Sequence, residues 1–119
     1  MSWKDTQTTP AAMSIDIEDW FQVQNLGIDP NLWESNERRV GQNVDRMLEL
    51  LSENDVTCTC FCLGWIAERH PETIKKIAAA GHEIASHGYN HELAYDLSHD
   101  QFRKDISDAK KILEDLTGK

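Results

Sequence analysis

Positive charge is scarce in this chain. Twelve Lys and Arg stand against 21 Asp and Glu, a formal net charge of −9 over 119 residues. Nucleic-acid binding takes much of its affinity from a basic face that neutralises phosphates, and no cluster of bases stands out here. Nucleic acid and anionic membrane are therefore poor expected partners, while a neutral or cationic substrate is compatible with the charge. Long apolar runs are missing too: nothing approaches the roughly 18 residues a spanning helix needs, so no membrane span is expected. Cysteine is limited to Cys58, Cys60 and Cys62. An odd count within one short run is no disulfide framework. Alternate side chains on one strand also lie too far apart for a relaxed bridge, so a reducing compartment is expected. The first ten residues lack the apolar core of a secretory signal, which makes the cytoplasm the expected location. Residues 1–10 read as an extension ahead of one domain, 11–119. The 39% hydrophobic and 28% charged residues suit a single soluble globular core.

The pattern along the domain alternates. Residues 11–17 are apolar and read as a buried strand that ends in Asp16, Glu18 and Asp19. Residues 22–39 carry Gly27, Pro30, Asn31 and several charges, and predict a long loop. Val44, Met47, Leu48 and Leu51 form one helical stripe that stops near Asn54-Asp55. Residues 56–63 read as a strand apolar on both faces, ended by Gly64. Pro71 suits a helix start, Ile74, Ile77 and Ala78 supply its stripe, and Gly81 suits the position after it. Glu83 to Ser86 is a third strand. Ser98 and Gln101 form a capping box for a last helix carrying Phe102, Ile106, Ala109, Leu113 and Leu116, closed by Gly118. Strand, helix, strand, helix, strand, helix predicts an α/β fold: a parallel sheet with right-handed crossovers. Two polar clusters, residues 16–19 and 86–91, then fall at strand C-termini, the edge where active sites of such folds sit.

Each cluster has chemistry to offer. His87 and His91 are spaced H-x3-H, which places them on one side of a helix or lets a Gly- and Asn-rich loop converge them. Zinc accepts imidazole and carboxylate together, and two histidines plus one acid leave a position open for water. The same spacing also fits an ordinary polar loop. Among the acids, a carboxylate ending a buried strand needs compensation by a metal or by hydrogen bonds. If strand geometry continues, Asp16 and Glu18 share a face, one serving as base and the other as ligand. If the chain turns after Ile17, Asp19 swings in instead. Simple capping by exposed acids is the competing reading.

The segment Ser14-Ile15-Asp16-Ile17-Glu18-Asp19-Trp20-Phe21 resembles the first motif of NodB-type polysaccharide deacetylases, carbohydrate esterase family 4. It is most similar to the branch associated with exopolysaccharide and exosortase gene clusters. Cys60-Phe61-Cys62-Leu63-Gly64-Trp65, Ala67-Glu68-Arg69-His70-Pro71 and the stretch from Gly81-His82-Glu83 to Asn90-His91 resemble its next conserved segments, so the likeness covers nearly the whole domain. The resemblance implies a partial (β/α) barrel, roughly three βα units of a distorted seven- or eight-stranded barrel. It implies Asp16 as catalytic base, and Glu18 or else Asp19 as the acidic ligand of a divalent metal, zinc above all. His87 and His91 match the family's metal histidines. The implied substrate is an N-acetylated polysaccharide or oligosaccharide, from which acetyl groups are hydrolysed. Trp20 and Phe21 either stack on its sugar rings or pack beneath the loop. The family's late histidine motif, which supplies the general acid, has no match here, nor do its arginine-proline and tryptophan motifs. The expectation is therefore an N-terminal part of the domain that lacks the C-terminal half, and full activity is not expected of it alone. The alternatives are a non-catalytic metal- or glycan-binding remnant and a related amidase acting on a small amide. His82 reads either as support for a metal ligand or as a structural hydrogen bond, His70 as a cap on the helix started by Pro71, and His99 as a surface residue. The three cysteines read as small apolar strand residues rather than a soft-metal set, and Arg38 and Arg39 either as steadying the long loop or as solvated charges.

Overall fold

The computed structural model describes residues 10–119, so nearly all of the expected 1–10 extension lies outside the described residues. Three short strands, β1 (Ser14–Ile17), β2 (Thr59–Cys62) and β3 (Glu83–Ser86), pair in parallel in the order β1-β2-β3. In register, Ile15, Cys60 and Ile84 form one row, Asp16, Phe61 and Ala85 the next, and Ile17, Cys62 and Ser86 the third. Alternation sends the first and third rows to one face. There Ile17, Cys60 and Cys62 are buried and join one core with Ile74, Ile77, Val44, Leu51 and Leu113 from the helices. The middle row stays partly exposed. The expectation of a β2 apolar on both faces is thus only half met, because the helices cover one face of the sheet.

Four helices supply that cover: α1 (Val40–Glu53), α2 (Gly64–Arg69), α3 (Pro71–Ala79) and α4 (His99–Thr117). Three follow the apolar stripes expected of them. Pro71 opens α3, and α4 carries the Ser98–Gln101 capping box and ends at Gly118 in the left-handed conformation. Along α4 only the C-terminal part of the stripe is buried: Ala109 and Leu113 are sealed, whereas Phe102 and Ile106 remain about two-fifths exposed, at 42% and 40%. Helix α2 was not expected. Gly64, read as the end of β2, is instead its first residue, and Gly64, Trp65, Ile66 and Ala67 are all buried.

The stretch 22–39 is a chain of short 3-10 turns rather than an open loop. Trp33 anchors it, 3% exposed, packed edge-on against Trp65 and near Phe21. Arg38 lies over Phe21 and Trp65 and donates to the carbonyls of Trp33 and Asn36, which is the steadying role expected of it. Arg39 pairs with Glu37 and covers Trp20. Cys58, Cys60 and Cys62 are buried free thiols. Burial pushes Cys60, beside Cys58, and Cys62 up to about 12, so they serve as small apolar groups.

Candidate metal centre at the strand ends

The two polar clusters meet. At the C-terminal end of β1 the chain places Glu18 so that its Oε2 lies 3.1 Å from His91 Nε2 and 4.0 Å from His87 Nε2. The two imidazole rings are 4.9 Å apart, edge to face. One donor atom from each of Glu18, His87 and His91 falls within a common 4.8 Å. The side chains of Glu18 and His91 are about four-fifths buried and that of His87 about three-quarters. Asp16 lies at the mouth of this group, half exposed, its Oδ2 3.6 Å from His87 Nε2.

The donor set suits a divalent cation. Glu18 Oε2 and His87 Nε2 are sealed from solvent and make no hydrogen bond of normal geometry, Glu18 Oε2 facing only His91 Nε2 at 3.1 Å. Buried polar atoms are normally satisfied, and those that are not call for an explanation. One carboxylate oxygen and two imidazoles at these separations match the ligand chemistry of zinc, and a cation among them would satisfy groups that otherwise cost free energy.

Asp19 does not join this group, which corrects the reading of it as a possible ligand. It is 3% exposed, and its carboxylate is consumed by backbone amides. Oδ1 accepts from Trp20 N at 2.9 Å, while Oδ2 accepts from Arg39 N at 2.9 Å and Val40 N at 3.0 Å. Arg39 and Val40 begin α1, whose own first residues offer no side-chain cap. Asp19 therefore caps a helix that starts twenty residues further on, satisfying amides a helix start leaves free. Phe21, 1% exposed, is corrected as well: it packs edge-on with Trp20 and Trp65 and offers no face to a sugar. Trp20 keeps 37% of its surface exposed, with its indole N–H donating to the Glu37 carbonyl at 3.0 Å.

The histidine loop is held from outside itself. His87 N donates to Cys62 O at 3.0 Å, continuing the β2–β3 ladder. Gly64 N and Trp65 N, the free amides at the start of α2, donate to the carbonyls of Gly88 at 2.8 Å and Tyr89 at 3.1 Å. The Gln24 side chain donates to the His91 carbonyl, and the Tyr89 hydroxyl meets Glu68. From α4, the Asp105 carboxylate accepts from Tyr89 N and Asn90 N at 3.0 and 3.3 Å. Neither Gln24 nor Asp105 carries a spacing signal that ties it to the histidines. His82 sits at the opposite end of β3, where its Nδ1 accepts from Cys58 N at 3.2 Å: a structural hydrogen bond. His70 leads into α3 as expected but makes no side-chain cap.

Comparison with known proteins gives the chain a family. The sequence profile of the polysaccharide deacetylases matches residues 33–119. A peptidoglycan-N-acetylglucosamine deacetylase of Bacillus cereus is 36% identical over 73 residues, 61% of this chain and 26% of that protein. Among solved structures, a Mycobacterium smegmatis protein assigned to the polysaccharide deacetylases superposes with a TM-score of 0.77 at 36% identity. That match covers 100% of this chain and 43% of the other. An allantoinase superposes with a TM-score of 0.70 at 27% identity, covering 91% of this chain and 43% of its own. The chain spans about a quarter to a third of the length of the curated relatives it matches first.

Proposed function

Because this chain belongs to the polysaccharide deacetylase family, we propose that it carries the metal-binding part of an enzyme that hydrolyses N-acetyl groups from amino sugars of a polysaccharide. The observation behind this reading is the convergence of Glu18, His87 and His91, with Glu18 Oε2 and His87 Nε2 sealed from solvent, beside a half-exposed Asp16.

Glu18, His87 and His91 would hold the cation, with zinc the best match to one carboxylate and two imidazoles. When bound, such a cation would supply Lewis-acid chemistry, polarising an acetamide carbonyl and acidifying a nearby water. Asp16, open to solvent at the mouth, takes the proton of the attacking water as general base. Trp20 offers one ring face, backed by Arg39, on which a sugar ring can stack. The relative from Bacillus cereus is named for peptidoglycan N-acetylglucosamine; the sequence of the first motif favours an exopolysaccharide for this chain.

The test is the metal content of the purified chain, beside His87→Ala, His91→Ala and Glu18→Gln. About one zinc per chain, lost in each variant while the fold persists by circular dichroism, supports the centre. A folded chain that takes up no zinc when it is supplied overturns it. A second reading, hydrolysis of a small amide, is favoured by the similarity to an allantoinase. Release of acetate from N-acetylglucosamine oligomers, set against turnover of allantoin, separates the two.

A further inference from the structure

We propose that Asp105 is a positioning residue for the metal centre: reaching from α4, it fixes the backbone of loop 87–91 and thereby the separation of the two imidazoles. This rests on the metal-site reading above.

Loop 87–91 begins and ends with a ligand and is shaped by two left-handed residues, Gly88 at φ +74 and His91 at φ +57. Left-handed backbone is uncommon for a histidine, so something must hold it there. Within the loop region the one internal tie is Gly88 N to Ser86 Oγ at 3.2 Å. The remaining ties come from neighbouring elements, and they divide by chemistry. The carbonyls of Gly88, Tyr89 and His91 are held by Gly64 N, Trp65 N and Gln24. Among the described residues the amides of Tyr89 and Asn90 are held by Asp105 alone, one carboxylate oxygen on each. Successive N–H groups aimed at one anion form a small electropositive nest, and a carboxylate that fills it makes charge-assisted hydrogen bonds.

Two packing facts set the carboxylate in place. One turn along α4, Ala109 is 0% exposed, and a Cβ added at Gly64 would fall 3.1 Å from its Cα. This close approach fixes α4 against the start of α2. At the loop itself, a Cβ on Gly88 would lie 2.7 Å from Asp105 Oδ2, so the absent side chain is the space the carboxylate uses. The bonds of Asp105 run to loop amides and not to the ligand side chains of Glu18, His87 or His91, so it acts through the backbone. Groups that orient metal ligands typically contribute roughly 10- to 100-fold in metal affinity.

The experiment uses the full chain and its Asp105→Ala, Asp105→Asn and Asp108→Ala variants. Asp108, one turn away, makes the exposed pair with Lys104 and controls for loss of a negative charge. Zinc affinity is measured by chelator competition, the visible spectrum with cobalt in place of zinc reports the site geometry, and amide exchange of Tyr89 and Asn90 is followed in the metal-free chain. For Asp105→Ala the expected result is at least about tenfold weaker zinc binding, an altered cobalt spectrum and faster exchange at both amides. Asp105→Asn, which keeps one acceptor oxygen, should fall between it and the parent, and Asp108→Ala should match the parent. Parent-like affinity and spectrum in Asp105→Ala overturn the inference, as does an equal loss in Asp108→Ala. If Asp105→Ala does not fold, Asp105→Asn decides by the same criteria. If the parent chain takes up neither zinc nor cobalt, the metal reading itself fails. Amide exchange then judges the positioning role alone, faster in Asp105→Ala supporting it and unchanged overturning it.

Discussion

Adjacent acids do opposite work at the end of β1. Glu18 turns toward the histidines with one oxygen unpartnered, while Asp19 spends its carboxylate on three backbone amides. Removing Asp19 would strand those amides in a buried site, so Asp19→Ala should lower stability by about 3 kcal/mol in urea melts, with zinc uptake by the folded fraction retained. Glu18→Gln should do the reverse, losing zinc with little change in the urea midpoint. His70 offers a pH test. Burial, helped by the Arg38 charge, holds its imidazole below the usual histidine range. The unfolded chain takes up that proton near pH 6.5. The contribution is therefore complete above this pH and is lost as pH falls toward the lower folded value. The urea midpoint should drop between pH 7 and pH 5.5, and the drop should be smaller in His70→Gln. The thiols give a third check. With Cys60 and Cys62 raised to about 12 by burial, a thiol reagent at pH 8 should leave both unlabelled in the native chain and label all three cysteines in denaturant.

At the scale of elements, the junction of α2, α4 and the histidine loop leaves no room for a side chain at Gly64. A Cβ at Gly64 would meet Tyr89 Cδ2 at 2.6 Å and the Ala109 backbone at 3.1 Å. Tyr89 could swing aside, but the α4 backbone could not without disturbing the packing around Ala109. Gly64→Ala should therefore cost about 1–3 kcal/mol and weaken zinc binding as well, measurable by urea melts and chelator competition. Gly64 is also where the sequence misled. Six residues that are buried for most of their length show no helical period, so no pattern marked a helix beginning at the Gly64 that was read as ending β2. The three amphipathic helices were legible because each pairs one apolar stripe with solvent on its other side. The start of α1 at Val40 agrees with a loop read to end at Arg39, but its cap was hidden, because Asp19 lies far away in sequence. The same limit applies to the centre. His87, His91 and the acids announced themselves by type and spacing and by resemblance, but the division of labour among Asp16, Glu18 and Asp19 depends on a turn after Ile17 that no local pattern specifies. Gln24 and Asp105 make single long-range hydrogen bonds, which leave no periodic trace.

For the whole molecule, the sheet order has two consequences. Among the described residues β1 and β3 each pair on one side only, and an unpaired strand edge is a template for further pairing. Sedimentation velocity over a rising concentration series should show a growing dimer fraction, even though a net charge of −9 opposes association at low salt; added salt should promote it. The second consequence concerns time. The candidate ligands come from the two outer strands, β1 and β3, with β2 between them. No pair of neighbouring strands contains the whole set. During synthesis the acid of β1 must wait for two complete crossovers before its histidines arrive, so a cation captured there would follow the pairing of all three strands rather than seed it, and its uptake would report that β1 and β3 have both found β2.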